Sequence, residues 1–210
     1  MTAVKLAKNR TRKKRKRKTK ASSLLCAGFF CYNKHENENE VTIVLSDKLL
    51  KSLNEQMNYE FYSAHSYMAM AAYCSSESLD GFANFFLVQA EEERFHAMKF
   101  YNFINALGER AIITGFDSPN NEFTSILDCF EKALTQEKEV TKRIYQLSDI
   151  AWDEREHATI NFLKWFIDEQ VEEEDMFDSI IQKLKRIQND NNALFMLDTE
   201  FSKRTFTPEE

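Results

Sequence analysis

The sequence predicts an all-α fold: a four-helix bundle with one long crossover and a short fifth C-terminal helix. Three observations carry this. Glycine and proline number only 4 and 2 in 210 residues, too few for the turns of a many-stranded β fold. From Leu45 onward, apolar residues recur at three- and four-residue steps, the period of a helix with one buried face. Between residues 45 and 207 the breakers are Gly81, Gly108, Gly115 and Pro119, and three of the four fall in a single connection.

The elements follow in order. Ser46 and Asp47 can cap a first helix that runs to about residue 75, through Leu49, Leu50, Leu53, Met57, Ala64, Met68 and Ala71. A second runs from about Leu79 to Leu107 and is stopped by Gly108. Residues 108–121 form the connection. A third helix starts near Thr124, and a fourth runs from about Asp153 to Ile187 through Ile160, Leu163, Phe166, Ile167, Val171, Phe177, Ile180 and Leu184. A short fifth, about 191–202, follows Asn189-Asp190-Asn191. Each long helix of about 28 residues measures about 42 Å. The turns near 75–79 and 152–154 are too tight for anything but antiparallel hairpins. A connection of about fourteen residues reaches about 46–50 Å extended, enough to run the length of the bundle. The topology is therefore a hairpin, a crossover and a second hairpin.

The formal net charge of −6 conceals two unlike parts. Residues 1–44 carry 12 Lys/Arg against 3 Asp/Glu, and residues 45–210 carry 16 against 31. The domain division predicted is therefore a basic, unfolded extension at 1–44 and a helical domain at 45–210. Eleven Lys/Arg between residues 5 and 20 cannot fold alone. That block reads as a segment foreign to the native protein, with a GTG start at Val44. The rival readings are a basic arm for nucleic acid or an anionic membrane surface, and a weak secretory signal. Nucleic-acid binding is expected only if residues 5–20 are translated. No apolar run of about 18 residues exists, so no membrane helix is expected. Cys26, Cys31, Cys74 and Cys129 form no C-x-x-C pair and read as idle thiols of a reducing, cytoplasmic compartment.

The apolar stripes are interrupted by acids at mid-length. Glu60 lies on the course Met57, Glu60, Ala64, Tyr67, Ala71 of the first helix. Glu93 and His96, three apart, share a face with Phe86, Ala90 and Phe100 on the second. Glu137 falls on the row Phe130, Leu134, Thr141, Ile144 of the third; Gln170 and Glu173 fall on the row Leu163, Phe166, Phe177 of the fourth. Buried carboxylates converging without a cation would force one another to protonate. A hard multivalent cation resolves the conflict, and carboxylates plus one imidazole suit iron or manganese. Glu92, Glu169 and Glu172 are placed for an auxiliary cation site or a solvated acidic face.

At these residues the sequence resembles the bacterial non-haem ferritins. The resemblance rests on Leu53-Asn-Glu-Gln-Met-Asn-Tyr-Glu60, Glu92-Glu93-Arg-Phe-His96, Glu137, and Asp168-Glu-Gln170-Val-Glu-Glu-Glu174. It covers about residues 45–207. The spacings are 33 residues from Glu60 to Glu93, 44 to Glu137 and 33 to Gln170. The resemblance implies a ferritin-like bundle and a ferroxidase centre. Glu60, Glu93 and His96 would hold one iron, with Glu93 bridging to a second held by Glu137 and Glu173. Gln170 would lie nearby, orienting dioxygen or water. Glu92, Glu169 and Glu172 match a third iron site, and Tyr67 and Trp165 match aromatic positions beside the centre. Fe(II) is the implied substrate, dioxygen or hydrogen peroxide the oxidant, and a homo-oligomeric cage of twenty-four subunits the container for ferric mineral. Haem is not expected, because Arg94 stands where bacterioferritins place a ligating Met. His65 and His157 fall outside the motif and read as structural. The rival functions are a di-iron peroxidase or oxidase without storage, a basic-armed cage associating with DNA, and a helical interaction module.

Overall fold

The computed structural model describes residues 45–188 and 190–208. The basic segment 1–44, with Cys26, Cys31 and every reading made of it, lies outside the described residues. The helices are α1 (Asp47–Ser76), α2 (Asp80–Ala106), α3 (Ile126–Asp153), α4 (His157–Ile187) and α5 (Asn191–Phe201). Among the described residues no helix is long and apolar enough to cross a membrane.

The caps explain where the helices begin. Ser46 accepts the Leu49 amide at 3.0 Å, and Ser125 accepts that of Asp128 at 3.1 Å. Gly108 ends α2 with φ +81°, a conformation glycine adopts at no steric cost. Two boundaries differ from expectation. The turn between α3 and α4 lies at 154–156, not 152–154. No glycine or proline marks it: Arg155 itself takes φ +54°, and Glu156 then caps α4 by accepting the amides of Ala158 and Thr159. The crossover is longer than 108–121, occupying 107–125, because the residues after Asn121 are engaged in capping α3 rather than extending it. Thr124 donates its amide to Asp128 Oδ2, and Lys132 donates to the Glu122 carbonyl.

The crossover does run along the bundle. Asn54 and Asn58 of α1 accept the amides of Ile112 and Thr114, and Asn58 donates to the Ile112 carbonyl. Farther along, the Phe116 ring meets Tyr62 and His65, and Phe123 meets Tyr73 near the far end of α1. The chain thus leaves α2 beside the start of α1 and enters α3 beside its end. α1 pairs with α2 and α3 with α4.

The core divides into two apolar clusters. One gathers Phe82, Phe85, Phe86, Phe130 and Phe177 at one end; the other gathers Leu49, Leu53, Met57, Phe100, Ile144 and Phe166 at the other. Burying each of these side chains contributes about 1.5–3 kcal/mol. Met68 and Val171, expected on the apolar courses, are exposed, because each lies about a quarter turn off its stripe. Cys74 and Cys129 are buried thiols, and Cys129 is held well above its ordinary pKa by a hydrogen bond with Cys74 and by burial.

α5 is seated on the start of α2. Leu79 supplies no side-chain cap there; instead Asp198 of α5 accepts the Phe82 amide at 3.0 Å. The helices touch at Gly81, where an added Cβ would lie 1.7 Å from the Asp198 carbonyl oxygen. Gly81→Ala is therefore expected to dislodge α5 and cost about 3 kcal/mol, at the upper end of ordinary overpacking. Urea denaturation checks this; an unchanged midpoint would refute the contact.

Candidate metal centre

Between the two apolar clusters lies a polar layer. Glu60, Glu93, His96, Glu137, Gln170 and Glu173 are all buried, Glu60 and Glu137 completely. One residue or pair comes from each of α1, α2, α3 and α4, because each sits at mid-length on its helix's inward stripe. One ligand atom each from Glu60, Glu93 and His96 lies within 4.8 Å of the others. Tyr67, also fully buried, stacks between Phe86 and Phe177 at centroid distances of 6.1 and 5.9 Å and donates its hydroxyl to Glu137 Oε1.

The electrostatics are those of crowded anions. Burial pushes the carboxyls of Glu60 and Glu137 up to about 7, against an ordinary 4.5. Glu93 and Glu173 are raised well above the ordinary value too, by burial and by the charge of Glu137. His96 moves the other way, down to about 3, because burial disfavours its charged form. Its Nδ1 lies 3.5 Å from Glu93 Oε2, and burial and the nearby Lys99 charge both favour the neutral ring. A neutral imidazole can ligate a metal. Three buried oxygens, Glu60 Oε2, Glu93 Oε2 and Glu137 Oε2, have no hydrogen-bond partner.

Gln170 accepts from Thr141 Oγ1 at 3.1 Å through its Oε1, which turns its amide toward Glu137. Trp165 packs against His96 at 5.4 Å and lies beneath the Lys99 ammonium.

The auxiliary acids are arranged differently. Glu169 Oε1 stands 4.0 Å from His96 Nε2, and Glu92 Oε2 accepts from the Arg204 guanidinium at 2.8 Å. Glu172 is exposed on α4. Arg204 belongs to the tail after α5, which Asn84 holds by donating to the carbonyls of Phe201 and Arg204. His65 and His157 lie on the surface, His65 with its Nδ1 on the Phe61 carbonyl.

Sequence reasoning missed Gln56, Gln89 and Arg204. Gln56 donates to Glu60 Oε1 at 2.8 Å and Gln89 to Glu173 Oε2 at 3.0 Å. For the glutamines a signal was present: each stands four residues before an inward glutamate, hence on the same face. Arg204 left no periodic signal, since it follows the last helix.

Comparisons with known proteins agree with this geometry. The family model of the ferritin-like domain matches residues 50–187. The chain is 54% identical over 166 residues to a bacterial non-heme ferritin of Staphylococcus aureus (strain USA300), covering 79% of this chain and all of the relative. It is 53% identical over 167 residues to the bacterial non-heme ferritin of Staphylococcus saprophyticus, again covering the relative completely. A humanized archaeal ferritin superposes with a TM-score of 0.77 at 44% identity, covering 79% of this chain and all of that one. An open-pore ferritin from Archaeoglobus fulgidus gives 0.76 at 42%, covering 77% and 99%. A buried layer of acids with one imidazole, set in a bundle with a single long crossover, and matches of this extent have one explanation: the chain belongs to the ferritin family, among the bacterial non-haem ferritins.

Proposed function

We propose that the buried layer is where this ferritin takes up Fe(II) and oxidises it, with Glu60, Glu93 and His96 holding one iron and Glu93, Glu137 and Glu173 a second. Iron storage with ferroxidase activity is the function of the family member. The observation that carries the assignment to these residues is the set of orphaned oxygens. Glu60 Oε2, Glu93 Oε2 and Glu137 Oε2 are buried, unpartnered and crowded by like charge. Such a group is costly unless a cation satisfies it. Carboxylates with one neutral imidazole make a mixed O/N set that fits iron.

Each Fe(II) bound there gives up one electron, and dioxygen or hydrogen peroxide receives the two. The side chains prepare the step. The carboxylates must release their protons as Fe(II) enters, so binding is linked to proton release. Their negative charge stabilises the product Fe(III) more than the substrate Fe(II). Tyr67 fixes Glu137 through its hydroxyl and is an oxidisable ring in direct contact with the ligand set, as Trp165 is through His96. Gln170 presents an amide donor toward the same carboxylate, where it can orient dioxygen or water.

Glu92, Glu169 and Glu172 are assigned to a third, weaker iron site on the flank of the first two. There Arg204 already neutralises Glu92 and must move for a cation to bind that oxygen. Storage requires an enclosed volume that a single bundle lacks, so the subunit works in a homo-oligomeric shell of twenty-four. The exposed apolar side chains Phe195 and Met196 of α5 and Trp152 are available for subunit contacts. Haem is not expected, because Arg94 stands where a ligating Met would be needed. The reduced thiols Cys74 and Cys129 suit the cytoplasm.

The test is to supply Fe(II) in air and follow both oxidation and retention. Hundreds of ferric ions are expected to remain with each assembled particle through size-exclusion chromatography. Rapid oxidation with only about two irons kept per subunit would make the protein an oxidase rather than a store.

A further inference from the structure

We propose that Gln56 and Gln89 are positioning residues that fix how many oxygens Glu60 and Glu173 offer to iron. The inference rests on the assignment of the buried layer as the iron centre.

Each outer carboxylate has at least one neutral donor. Gln56 Nε2 engages Glu60 Oε1 at 2.8 Å, and Glu60 Oε2 is left without a partner. Gln89 Nε2 engages Glu173 Oε2 at 3.0 Å. Tyr67 engages Glu137 Oε1, and Glu137 Oε2 is left open. Glu93 is different: its hydrogen-bonding neighbours are other carboxyls, Glu60 and Glu137, rather than an amide or a phenol, and its Oε2 is open as well. An oxygen that accepts an N–H donor has one of its two lone pairs engaged and its electron density drawn down, which makes it the poorer ligand of the two. Iron is then bound through the other oxygen. Glu60 and Glu173 become one-oxygen ligands, whereas Glu93 can use both and span two ions. Neutral donors suit the task, because they direct the carboxylates without cancelling the charge that attracts iron. One-oxygen binding also leaves coordination positions for the oxidant.

Both amides are almost completely buried, Gln56 at 2% and Gln89 at 1% exposure. A purely structural glutamine in such a place satisfies both ends. Gln89 does not: its Oε1 has no partner, so its burial is a stability cost tolerated for the contact with Glu173. Outer partners of metal ligands typically shift metal affinity by about 10–100-fold when removed.

The experiment uses the full chain, assembled and metal-free, with Gln56→Leu and Gln89→Leu and redox-inert ions as probes. Anaerobic Co(II) titration reads coordination through the intensity of the visible bands, Zn(II) calorimetry reads affinity, and urea denaturation of the metal-free protein reads folding. Chelation by a freed second oxygen raises the coordination number. The Co(II) bands are then expected to lose about half their intensity and Zn(II) affinity to fall about 10-fold, with the urea midpoint unchanged or higher. Gln89→His retains an N–H donor and is expected to restore the wild-type spectrum; Gln56→Met and Gln89→Met replace any leucine variant that fails to assemble. Wild-type spectra and Zn(II) affinity in the donor-free variants would overturn the inference. A wild-type protein that takes up no Co(II) or Zn(II) in the buried layer would overturn the reading of the centre itself, a result distinguishable from the first.

Discussion

Glu93→Ala is expected to slow aerobic Fe(II) oxidation by roughly 100-fold, about 3 kcal/mol of activation barrier, while leaving the protein folded. Glu93 is the carboxylate shared by both proposed iron positions. Its neighbours are Glu60, within hydrogen-bonding reach, His96 Nδ1 at 3.5 Å, and the charges of Glu137 and Glu173. Removing it separates two one-electron donors that must deliver to the same oxidant. His96→Ala removes a ligand from one iron only and is expected to fall between the variant and wild type. Initial rates under air, followed by the absorbance of the ferric product, check both. Oxidation at the wild-type rate in Glu93→Ala would move the chemistry elsewhere in the molecule.

The metal-free protein is expected to lose stability as pH rises, opposite to what paired surface carboxylates produce. Glu60 and Glu137 titrate at about 7 in the folded chain and ordinarily at 4.5. Between those values the folded state holds more protons than the unfolded state, so stability falls with rising pH. Below 4.5 both states are protonated and the cost is absent; above about 7 it is fully present. Glu93 and Glu173 are raised too and add to the fall. His96 acts with the opposite sign, since its depressed pKa costs stability as pH drops from 6.5 toward 3. One imidazole opposes four carboxyls below 6.5, and above 6.5 the carboxyls act alone. The urea midpoint of the metal-free protein should therefore drop clearly between pH 6 and pH 8. Saturating Zn(II) should abolish the drop, because bound metal replaces the protons. A midpoint that is flat across this range, with and without Zn(II), would show that the layer is not desolvated.

The same physics explains what each level of description could supply. Helix existence was legible because a three- and four-residue apolar period is a property of the chain alone. The polar positions Glu60, Glu93, His96, Glu137, Gln170 and Glu173 were legible for the same reason: each breaks a stripe that must face inward. Ser46 and Gly108 were legible as a cap and a stop because their partners are local in sequence.

The turn at 154–156 was not, since Arg155 takes a positive φ that its residue type does not announce. The cap on α2 was not either, because Asp198 lies 116 residues away and reaches Phe82 only after α5 docks over Gly81. Only the folded bundle decides that Gln89 faces Glu173 on α4 rather than Glu93 on its own helix, and that Arg204 returns to Glu92. Periodicity determines which face of a helix is buried. Which side chain meets which across that buried face depends on the rotation and offset of separate helices. Those are set by packing the whole core at once, and no single segment carries them.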